Sequence, residues 1–217
     1  MTKQLKIDFV SDISCPWCAV GLSALESALN QVQGEVEASV HVQPFELNPQ
    51  MTPGGQDIGE HLTQKYGSTP EQQAQIRDTI RQRGADVGFS FNPSGRGRIY
   101  NTFDAHRLLH WAGSTDISKQ LALKKALLTA CHTHSLAMES HEVLLAAVTE
   151  AGLDRDRAQS VLDSDAFAAE VRAAEERYHS LGIHSVPAVI INDRHLISGG
   201  QPAAVFAQAL RQIAAES

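Results

Sequence analysis

The sequence predicts an α/β fold in which two β-containing segments, one at each end of the chain, enclose a long helical segment. Alternating polar and apolar residues at positions 5–10 indicate a half-buried strand. After Pro16 the apolar spacing changes to the helical period. Near the other end, positions 186–191 form a continuous apolar run, which is typical of a buried strand. The length of 217 residues fits one large domain, or a small domain that carries an insertion.

The first segment is predicted to form a β-α-β unit. The strand at 5–10 is followed by a helix that begins at Pro16, where a missing N–H is tolerated, and ends at Gly34. Alternation and β-branched residues return at 36–47, and Asn48-Pro49 ends this second strand.

The middle segment has helical spacing and no strand-like alternation. Helices are predicted at residues 57–66, 71–84, 101–111, 117–130, 141–150, 155–162 and 165–181. The stretch 89–97 is rich in aromatic residues, proline and glycine, which predicts an irregular loop. Arg96 in this loop fits either a lid over a site or a solvent-exposed loop.

The last segment is predicted to be a β-hairpin followed by a helix. Two strands, 186–191 and 195–198, flank a turn at 192–194, and an amphipathic helix occupies 202–213. A β-α-β unit completed by a hairpin and a helix is the thioredoxin arrangement. We therefore predict an α/β thioredoxin fold with a large all-helical insertion. Residues 1–50 and 181–217 would form the discontinuous thioredoxin-like domain, and residues 51–180 the inserted helical domain.

Charge and hydropathy exclude several function classes. Lys and Arg number 18 against 25 Asp and Glu, a net charge of −7 that disfavours binding to nucleic acid. The chain lacks an apolar run of the roughly 18 residues that a membrane helix needs. The first ten residues lack the apolar core of a signal peptide, so we expect a cytoplasmic protein, either monomer or homodimer.

The motif most directly tied to chemistry is Cys15-Pro16-Trp17-Cys18, which follows the first strand and opens the first helix. A thiolate at a helix N-terminus is stabilised by free backbone N–H groups and the helix dipole, so its pKa falls. We expect Cys15 to be exposed and nucleophilic. Cys18, one turn later, would be buried and would resolve the mixed disulfide.

Two other interpretations of the cysteines were considered. Cys15 and Cys18 fit a pair of core residues, or half of a zinc site whose other half would be Cys131 and His134 on one helix face. No second Cys-x-x-Cys motif supports the metal site, and we predict none. The simpler interpretation of Cys131 is a lone buried cysteine beside surface histidines.

A proline opens the buried strand near the C-terminus, at Val186-Pro187. Proline cannot donate to a strand ladder, so its presence there needs a reason. A cis peptide bond is one such reason, and an ordinary trans proline marking the start of the strand is the other. The spacing alone leaves both open.

These residues resemble the DsbA family of thioredoxin-fold oxidoreductases, and within it the FrnE-like branch related to 2-hydroxychromene-2-carboxylate isomerases. The matching stretches extend over the whole chain, at residues 11–18, 44–49, 105–109, 182–187 and 197–201. The resemblance implies a cis Val186–Pro187 bond opposite Cys15, with its backbone pairing with a peptide or glutathione. It implies substrate contacts at Pro16, Trp17, Val186, Ser198, Gly199 and Gln201. For the last three, a plain turn before the final helix is the alternative.

Two departures from related proteins refine the expectation. Secreted oxidases of this fold often have His before the second Cys, whereas this chain has Trp17. We therefore expect a less depressed cysteine pKa and a reduction potential closer to that of thioredoxin than to that of DsbA. Isomerases and kappa-class glutathione transferases typically have Ser at the position of Cys15 and lack the second Cys. Because both sulfurs are kept, we predict a thiol-disulfide oxidoreductase acting on protein or peptide thiols. It requires no cofactor, and glutathione is the candidate co-substrate. The alternative is a glutathione-dependent isomerase or transferase.

Three other polar residues are candidates for roles around the two cysteines. Glu46, at the end of the second predicted strand, fits a buried proton acceptor for Cys18 or a surface residue at a strand end. His106 and Arg107 in the helical segment fit contacts to an acidic substrate. The alternative for His106 is interhelical packing, and the alternative for Arg107 is a solvated side chain.

Overall fold

The computed structural model describes residues 2–216. Its strands are β1 (Lys3–Ser11), β2 (Val36–Pro44), β3 (Gln56–Asp57), β4 (Arg98–Ile99), β5 (Ala188–Ile191) and β6 (His195–Ser198). Its helices are α1 (Pro16–Gln31), α2 (Ile58–Tyr66), α3 (Pro70–Asp86), α4 (Phe103–Thr115), α5 (Ile117–His132), α6 (His141–Glu150), α7 (Arg155–Leu162), α8 (Ala168–Ser180) and α9 (Ala203–Glu216).

The main sheet has the strand order β2-β1-β5-β6. β1 is parallel to β2, with Phe9 opposite Val42, and antiparallel to β5, with Phe9 opposite Val189. β6 returns antiparallel to β5. The β-α-β unit and the terminal β-β-α unit therefore share one sheet, which confirms the predicted thioredoxin fold. Among the helices of residues 2–216, none combines the length and the apolar character that a membrane crossing needs.

The turn of the terminal hairpin lies at Asn192 and Asp193, which both adopt positive φ, 53° and 55°. Two consecutive residues of this conformation suit a tight turn, which the Arg194 N–H closes on the Ile191 carbonyl at 3.1 Å, and Asn and Asp tolerate it. The side chain of Asn192 also accepts a hydrogen bond from the backbone N–H of Lys6 at 3.0 Å. The turn is thus fixed to β1.

The inserted segment contributes α2 to α8 and packs on the exposed edge of β2. The Gln120 side chain of α5 accepts from the N–H of Val42 at 2.9 Å and donates to its carbonyl at 3.1 Å. Those groups would otherwise be unpaired at a sheet edge. One detail differs from the all-helical prediction, because β3 and β4 form a two-residue antiparallel ribbon. Such short strands have no alternation that a sequence pattern can reveal.

Apolar side chains form two main clusters, one on each side of the contact between β2 and the inserted helices. One cluster joins α1, α9 and the sheet, and it includes Phe9, Leu25 and Phe206. The other joins the inserted helices to Ile13, just after β1, and to Val42. The inserted helices are therefore packed against the loop that leads into α1.

The second strand ends earlier than predicted, at Pro44 instead of residue 47. Ser11 and Pro44 are the last ladder pair, and the N–H of Leu47 donates to the Asp12 carboxylate at 2.8 Å instead of to a strand. Glu46 therefore lies beyond the strand, which corrects its predicted position. The polar pairing that ends the strand is tertiary, so periodicity does not detect it.

Candidate functional site

The two cysteines lie at the start of α1. Cys15 is the N-cap residue, Pro16 is the first helical residue, and the Cys18 N–H donates to the Cys15 carbonyl at 3.1 Å. Cys18 is fully buried, as predicted. Cys15 is only 4% exposed, so the expectation of an exposed Cys15 is wrong. The reason is tertiary, because the segment at Val186 covers the sulfur.

The environments of the two sulfurs separate their acidities. Interaction with the Cys18 side chain and with the N–H groups of Trp17 and Cys18 lowers the pKa of the Cys15 thiol, although burial opposes this. Burial and the neighbouring Cys15 sulfur hold the pKa of the Cys18 thiol well above its usual range. Of the two, Cys15 is therefore the more acidic thiol and Cys18 the less acidic one.

The Val186–Pro187 peptide bond is cis and lies directly beside Cys15. The Cys15 thiol donates to the Val186 carbonyl oxygen, with 3.6 Å between the heavy atoms. Behind the proline, α1 has glycine at position 21, where a Cβ would lie 2.9 Å from Pro187 Cγ. The absence of a side chain on Gly21 is what allows Pro187 to approach the helix.

The turn after β6 supports the proline from the other side. The Gly199 N–H donates to the Pro187 carbonyl at 2.8 Å, and the Gln201 side-chain amide donates to the Ser198 carbonyl at 2.8 Å. Ser198 is exposed, and Pro16, Trp17, Val186, Gly199 and Gln201 are half-buried. The structure thus brings the predicted substrate-contacting residues to the same end of α1, and their substrate contacts stay a prediction.

A buried carboxylate, Asp12, organises the loop between β1 and α1. It accepts hydrogen bonds from the N–H and hydroxyl groups of Ser14, the N–H of Leu47 and the hydroxyl of Thr102, at 2.8 to 3.2 Å. His106 Nε2 lies 3.5 Å from its Oδ1. Burial raises the pKa of Asp12, but these donors and His106 outweigh it, and the pKa is held well below its usual range. Asp12 is therefore a fixed negative charge beside the cysteines.

The loop before β4 reaches the site through Arg96. Its guanidinium donates to the Ser14 carbonyl at 3.0 Å and to the Cys131 sulfur at 3.2 Å. The adjacent His132 ring donates to the Ile13 carbonyl at 2.9 Å and is fully buried, so the prediction of surface histidines is wrong at this position. The loop that carries Arg96 is therefore bound to the loop between β1 and α1. Residues 2–216 hold no group of three or more side chains arranged to bind a metal ion.

One lysine, Lys124 of α5, is also buried inside this region. Its side chain is fully inaccessible, and its Nζ has no hydrogen-bond partner within the described residues. Burial lowers its pKa, while the sulfur of Cys18 and the carboxylate of Asp12 raise it to a smaller extent. The lysine is therefore an uncompensated cation, or a neutral amine, within the electrostatic field of the dithiol.

Glu46 is buried, which excludes the alternative of a surface residue. Its carboxylate pairs with Arg172 of α8, which also contacts Glu175 at 2.7 Å and lies over the Phe103 ring at 3.8 Å. Burial raises the pKa of Glu46 despite Arg172. A role as proton acceptor for Cys18 stays a prediction, because the ionic partner that the structure shows is Arg172.

His106 and Arg107 are both buried in α4. Arg107 donates to the Ala166 carbonyl at 2.9 Å and to the carbonyls of Val161 and Ser164, where it binds the end of α7. The predicted solvated arginine is therefore wrong, because these carbonyls belong to the last turn of α7 and to the segment after it, 54 to 59 residues further along the chain.

The sequence identified the cysteines and the proline and offered Arg96 as part of a lid, but Asp12, Gly21 and Lys124 were missed as parts of the site. Asp12 offered one signal, since it follows a buried strand directly. Lys124 offered a weaker signal, since it lies on the same helix face as Leu128 and Cys131.

Comparison with known proteins agrees with this geometry. Residues 6–211 match the DSBA-like thioredoxin domain. The uncharacterized protein YwbO of Bacillus subtilis (strain 168) is 26% identical over 211 residues, which are 97% of this chain and 96% of YwbO. The crystal structure of the probable DsbA oxidoreductase SCO1869 from Streptomyces coelicolor has a TM-score of 0.89 at 34% identity, covering 98% of this chain and 91% of that one.

A more distant structure has the same fold. The cytosolic disulfide reductase DsbM from Pseudomonas aeruginosa, solved with GSH, has a TM-score of 0.64 at 18% identity, covering 96% of this chain and 98% of that one. The domain match spans nearly all of the sequence and includes both cysteines and Pro187. The chain belongs to the DsbA-like thioredoxin domain family.

Proposed function

We propose that this protein is a thiol-disulfide oxidoreductase in which Cys15 is the nucleophile and Cys18 the resolving thiol. One observation carries the proposal: the Cys15 thiol lies at the N-terminus of α1, hydrogen-bonded to Val186, with Cys18 one helical turn behind it. The lowered pKa of Cys15 and the raised pKa of Cys18 suit these two roles.

The reaction proceeds through a mixed disulfide. The Cys15 thiolate attacks a substrate disulfide, a Cys15–substrate bond forms, and the first substrate sulfur leaves as a thiolate. Cys18 then attacks the Cys15 sulfur, the Cys15–Cys18 bond forms, and the second substrate sulfur leaves. Two electrons pass from the dithiol to the substrate, and the reverse sequence oxidises a substrate dithiol.

The backbone at Val186 is the proposed docking edge for the substrate. An extended peptide, or the peptide backbone of glutathione, would pair with this segment as an added strand. Pro16 and Trp17 would form one wall of the groove, and Ser198, Gly199 and Gln201 the other. No metal or tightly bound cofactor takes part in this proposal.

Glutathione is the proposed small co-substrate, and a reducing cytoplasmic compartment is the proposed setting. The structural similarity to a cytosolic disulfide reductase solved with GSH supports both suggestions. Trp17 in front of Cys18 supports a reductase-like potential, since no histidine at that position further stabilises the Cys15 thiolate.

The test is a redox titration in glutathione buffers, with free thiols alkylated and counted by mass. We expect one two-electron transition that involves Cys15 and Cys18. Cys131→Ala is the matched control, because it removes the third thiol and leaves the transition unchanged. Cys18→Ser should instead accumulate a Cys15–glutathione mixed disulfide.

The opposite result is equally clear. If no Cys15–Cys18 disulfide forms at any ratio of oxidised to reduced glutathione, the oxidoreductase proposal is wrong. A glutathione-dependent isomerase or transferase would then be the better hypothesis, and its activity should survive in Cys18→Ser.

A further inference from the structure

A fully buried lysine with no hydrogen-bond partner needs a physical explanation. Lysine is almost never fully buried unless it is paired, because desolvation of an ammonium group is strongly unfavourable. Lys124 meets both conditions, since its side chain is inaccessible and its Nζ is unpaired within residues 2–216. Its neighbour Lys125 is ordinary, being half exposed and paired with Glu26 at 2.8 Å.

The position of Lys124 on α5 connects it to the dithiol. Gln120, one turn earlier on the same helix face, binds the edge of β2 at Val42. Leu128, one turn later, packs in the core that contains α1. Cys131, two turns later, is tied through Arg96 to the active-site loop. Lys124 thus lies between the sheet edge and the loop that carries the cysteines.

Cys18 is the group that interacts most strongly with this lysine. The electrostatic partners that raise the pKa of Lys124 are Cys18 first, then Asp12, Cys15 and Cys131. Reciprocally, Lys124 lowers the pKa of Cys18 against the larger effect of burial. Burial and Arg96 lower the pKa of the buried His132 ring, and Lys124 lowers it further when it is protonated.

Two buried carboxylates, Asp12 and Glu46, are the other candidate acceptors for a proton lost by Cys18, and both already bind other side chains. The pKa of Asp12 is held well below its usual range, so near neutral pH Asp12 stays ionised and is a poor proton acceptor. Glu46 is already paired with Arg172. Burial lowers the pKa of Lys124, which favours its neutral amine, and a neutral amine can accept a proton.

We propose that Lys124 gains a proton as the Cys18 thiol loses one, so that the buried pocket stays electrically balanced while Cys18 resolves the mixed disulfide. This inference rests on the proposed function. In the step concerned, the Cys18 thiolate attacks the Cys15 sulfur, the Cys15–Cys18 bond forms, and the Cys15–substrate bond breaks. The substrate sulfur leaves as a thiolate, and the proton from Cys18 is matched by one gained at Lys124. Lys124 acts on the charge of Cys18 and does not touch the substrate, so it is a positioning residue and not a catalytic one.

The experiment titrates Cys18 without any turnover. In a Cys15→Ser background, the rate of Cys18 alkylation is measured from pH 7 to 10 by peptide-resolved mass spectrometry. We expect Lys124→Met to reduce the rate about tenfold at a given pH, equivalent to raising the apparent pKa by about one unit. Lys125→Met is the matched control and should leave the profile unchanged. Identical profiles in the two variants would overturn the proposal.

A second measurement keeps Lys124 in place and therefore does not depend on the folding of Lys124→Met. The Nζ resonance of Lys124 is followed against pH in the reduced protein and in Cys18→Ser, with Lys125 as the internal reference. We expect the Lys124 midpoint to fall by about half a unit or more when Cys18 is removed. A midpoint that does not move would show that the two groups are not linked.

Failure of this inference can be told apart from failure of the proposed function. If Cys15 and Cys18 form a disulfide reversibly in glutathione buffers but the titration of Cys18 does not depend on Lys124, only the role of Lys124 is wrong. A pair that never forms a disulfide removes the oxidoreductase function, whatever the titrations show.

Discussion

The Pro187 ring rests against Gly21 of α1 so closely that a Cβ on Gly21 would lie 2.9 Å from Pro187 Cγ and 3.3 Å from the Gly200 Cα. Real Cβ atoms do not approach other heavy atoms at the first distance, so a side chain here would push Pro187 away. Because Pro187 follows the carbonyl that accepts the Cys15 hydrogen bond, this contact controls the geometry of the thiol.

Gly21→Ala should therefore slow thiol exchange at Cys15 and lower the free energy of unfolding only modestly. Alanine favours a helix by about 1 kcal/mol over glycine, whereas overpacking costs about 1–3 kcal/mol. The free energy of unfolding should fall by no more than about 2 kcal/mol. The rate of Cys15 exchange should fall at least about tenfold, since small displacements of reacting groups are costly. Urea unfolding and stopped-flow exchange with oxidised glutathione measure the two effects.

Gly59→Ala on α2 is the control for this prediction. Its Cβ would meet only side-chain oxygens, of Asp57 at 3.2 Å and of Gln73 at 3.6 Å, and no ring or backbone atom. The control should keep the parental exchange rate. If Gly21→Ala exchanges as fast as Gly59→Ala, close packing of Pro187 on α1 does not govern the reaction.

Asp12→Asn should destabilise the protein, although the two side chains have almost the same shape. An amide nitrogen cannot accept the hydrogen bonds that the carboxylate takes from Ser14, Leu47 and Thr102, so at least one buried donor loses its partner. The expected loss is about 1–3 kcal/mol in urea unfolding at pH 7. Removing the charge should also lower the pKa of Cys15 further, because Asp12 opposes the Cys15 thiolate. Thiolate absorbance against pH measures that shift, and Asp8→Asn, a buried carboxylate farther along β1, should leave it unchanged.

The stability contributed by Asp12 should depend on pH in a defined direction. Its pKa in the folded state lies below the unfolded value of about 3.9, so the folded state binds fewer protons in acid. The contribution is fully present above about pH 4 and is lost as the pH falls through the folded pKa. The difference in unfolding free energy between the parent and Asp12→Asn should therefore be constant from pH 7 to about pH 4 and begin to narrow between pH 4 and pH 3. A constant difference down to pH 3 would contradict this account.

The sequence predicted the parts of the fold that local patterns encode. Alternation located β1, helical spacing located α1, and Asn192-Asp193 located the hairpin, because each signal lies within a few neighbouring residues. The end of β2 was misplaced by three residues, since it depends on a hydrogen bond between Leu47 and Asp12. The β3–β4 ribbon was missed because it pairs segments about 40 residues apart.

The same limit explains what was missed in the site. Cys15 and Cys18 are separated by only two residues, so the sequence alone reveals their motif. Asp12, Arg96 and Lys124 come together only after the inserted helices pack on the loop that follows β1. In sequence Lys124 differs from its neighbour Lys125 only by the helix face that it shares with Leu128 and Cys131, and packing makes Lys124 buried and Lys125 exposed.

The three thiols of the reduced protein should react with iodoacetamide in a fixed order at pH 7.5. The pKa of Cys15 is lowered by Cys18 and the helix N-terminus, whereas burial raises the pKa of Cys18 and of Cys131. The thiolate is the reactive form, so Cys15 should react first. Time-resolved peptide mass mapping gives the order, and denatured protein, in which the three rates should become similar, is the control. If Cys131 reacts before Cys15, the assignment of Cys15 as the stabilised thiolate is wrong.

Arg172→Met should destabilise the protein near neutral pH and do so less in acid. Arg172 neutralises the buried carboxylates of Glu46 and Glu175, each of which also has a buried oxygen without a hydrogen-bond partner in residues 2–216. Removing the guanidinium leaves two buried negative charges. The expected loss is about 1–3 kcal/mol at pH 7, less than for a fully buried pair because Arg172 is 47% exposed.

The pH dependence follows from the raised pKa of both carboxyl groups. Each group binds its proton in the folded state at a pH where the unfolded chain, with a glutamate pKa of about 4.3, has lost it. As the pH falls through the raised folded values, the repulsion in Arg172→Met disappears and the deficit relative to the parent should shrink. Arg177→Met is the matched control, because Arg177 is an exposed arginine on the same helix, 3.8 Å from Asp193, and its loss should matter little at either pH. Urea unfolding at pH 7 and pH 5 measures the difference, and a deficit in Arg172→Met that grows in acid would mean that Arg172 does not compensate these two glutamates.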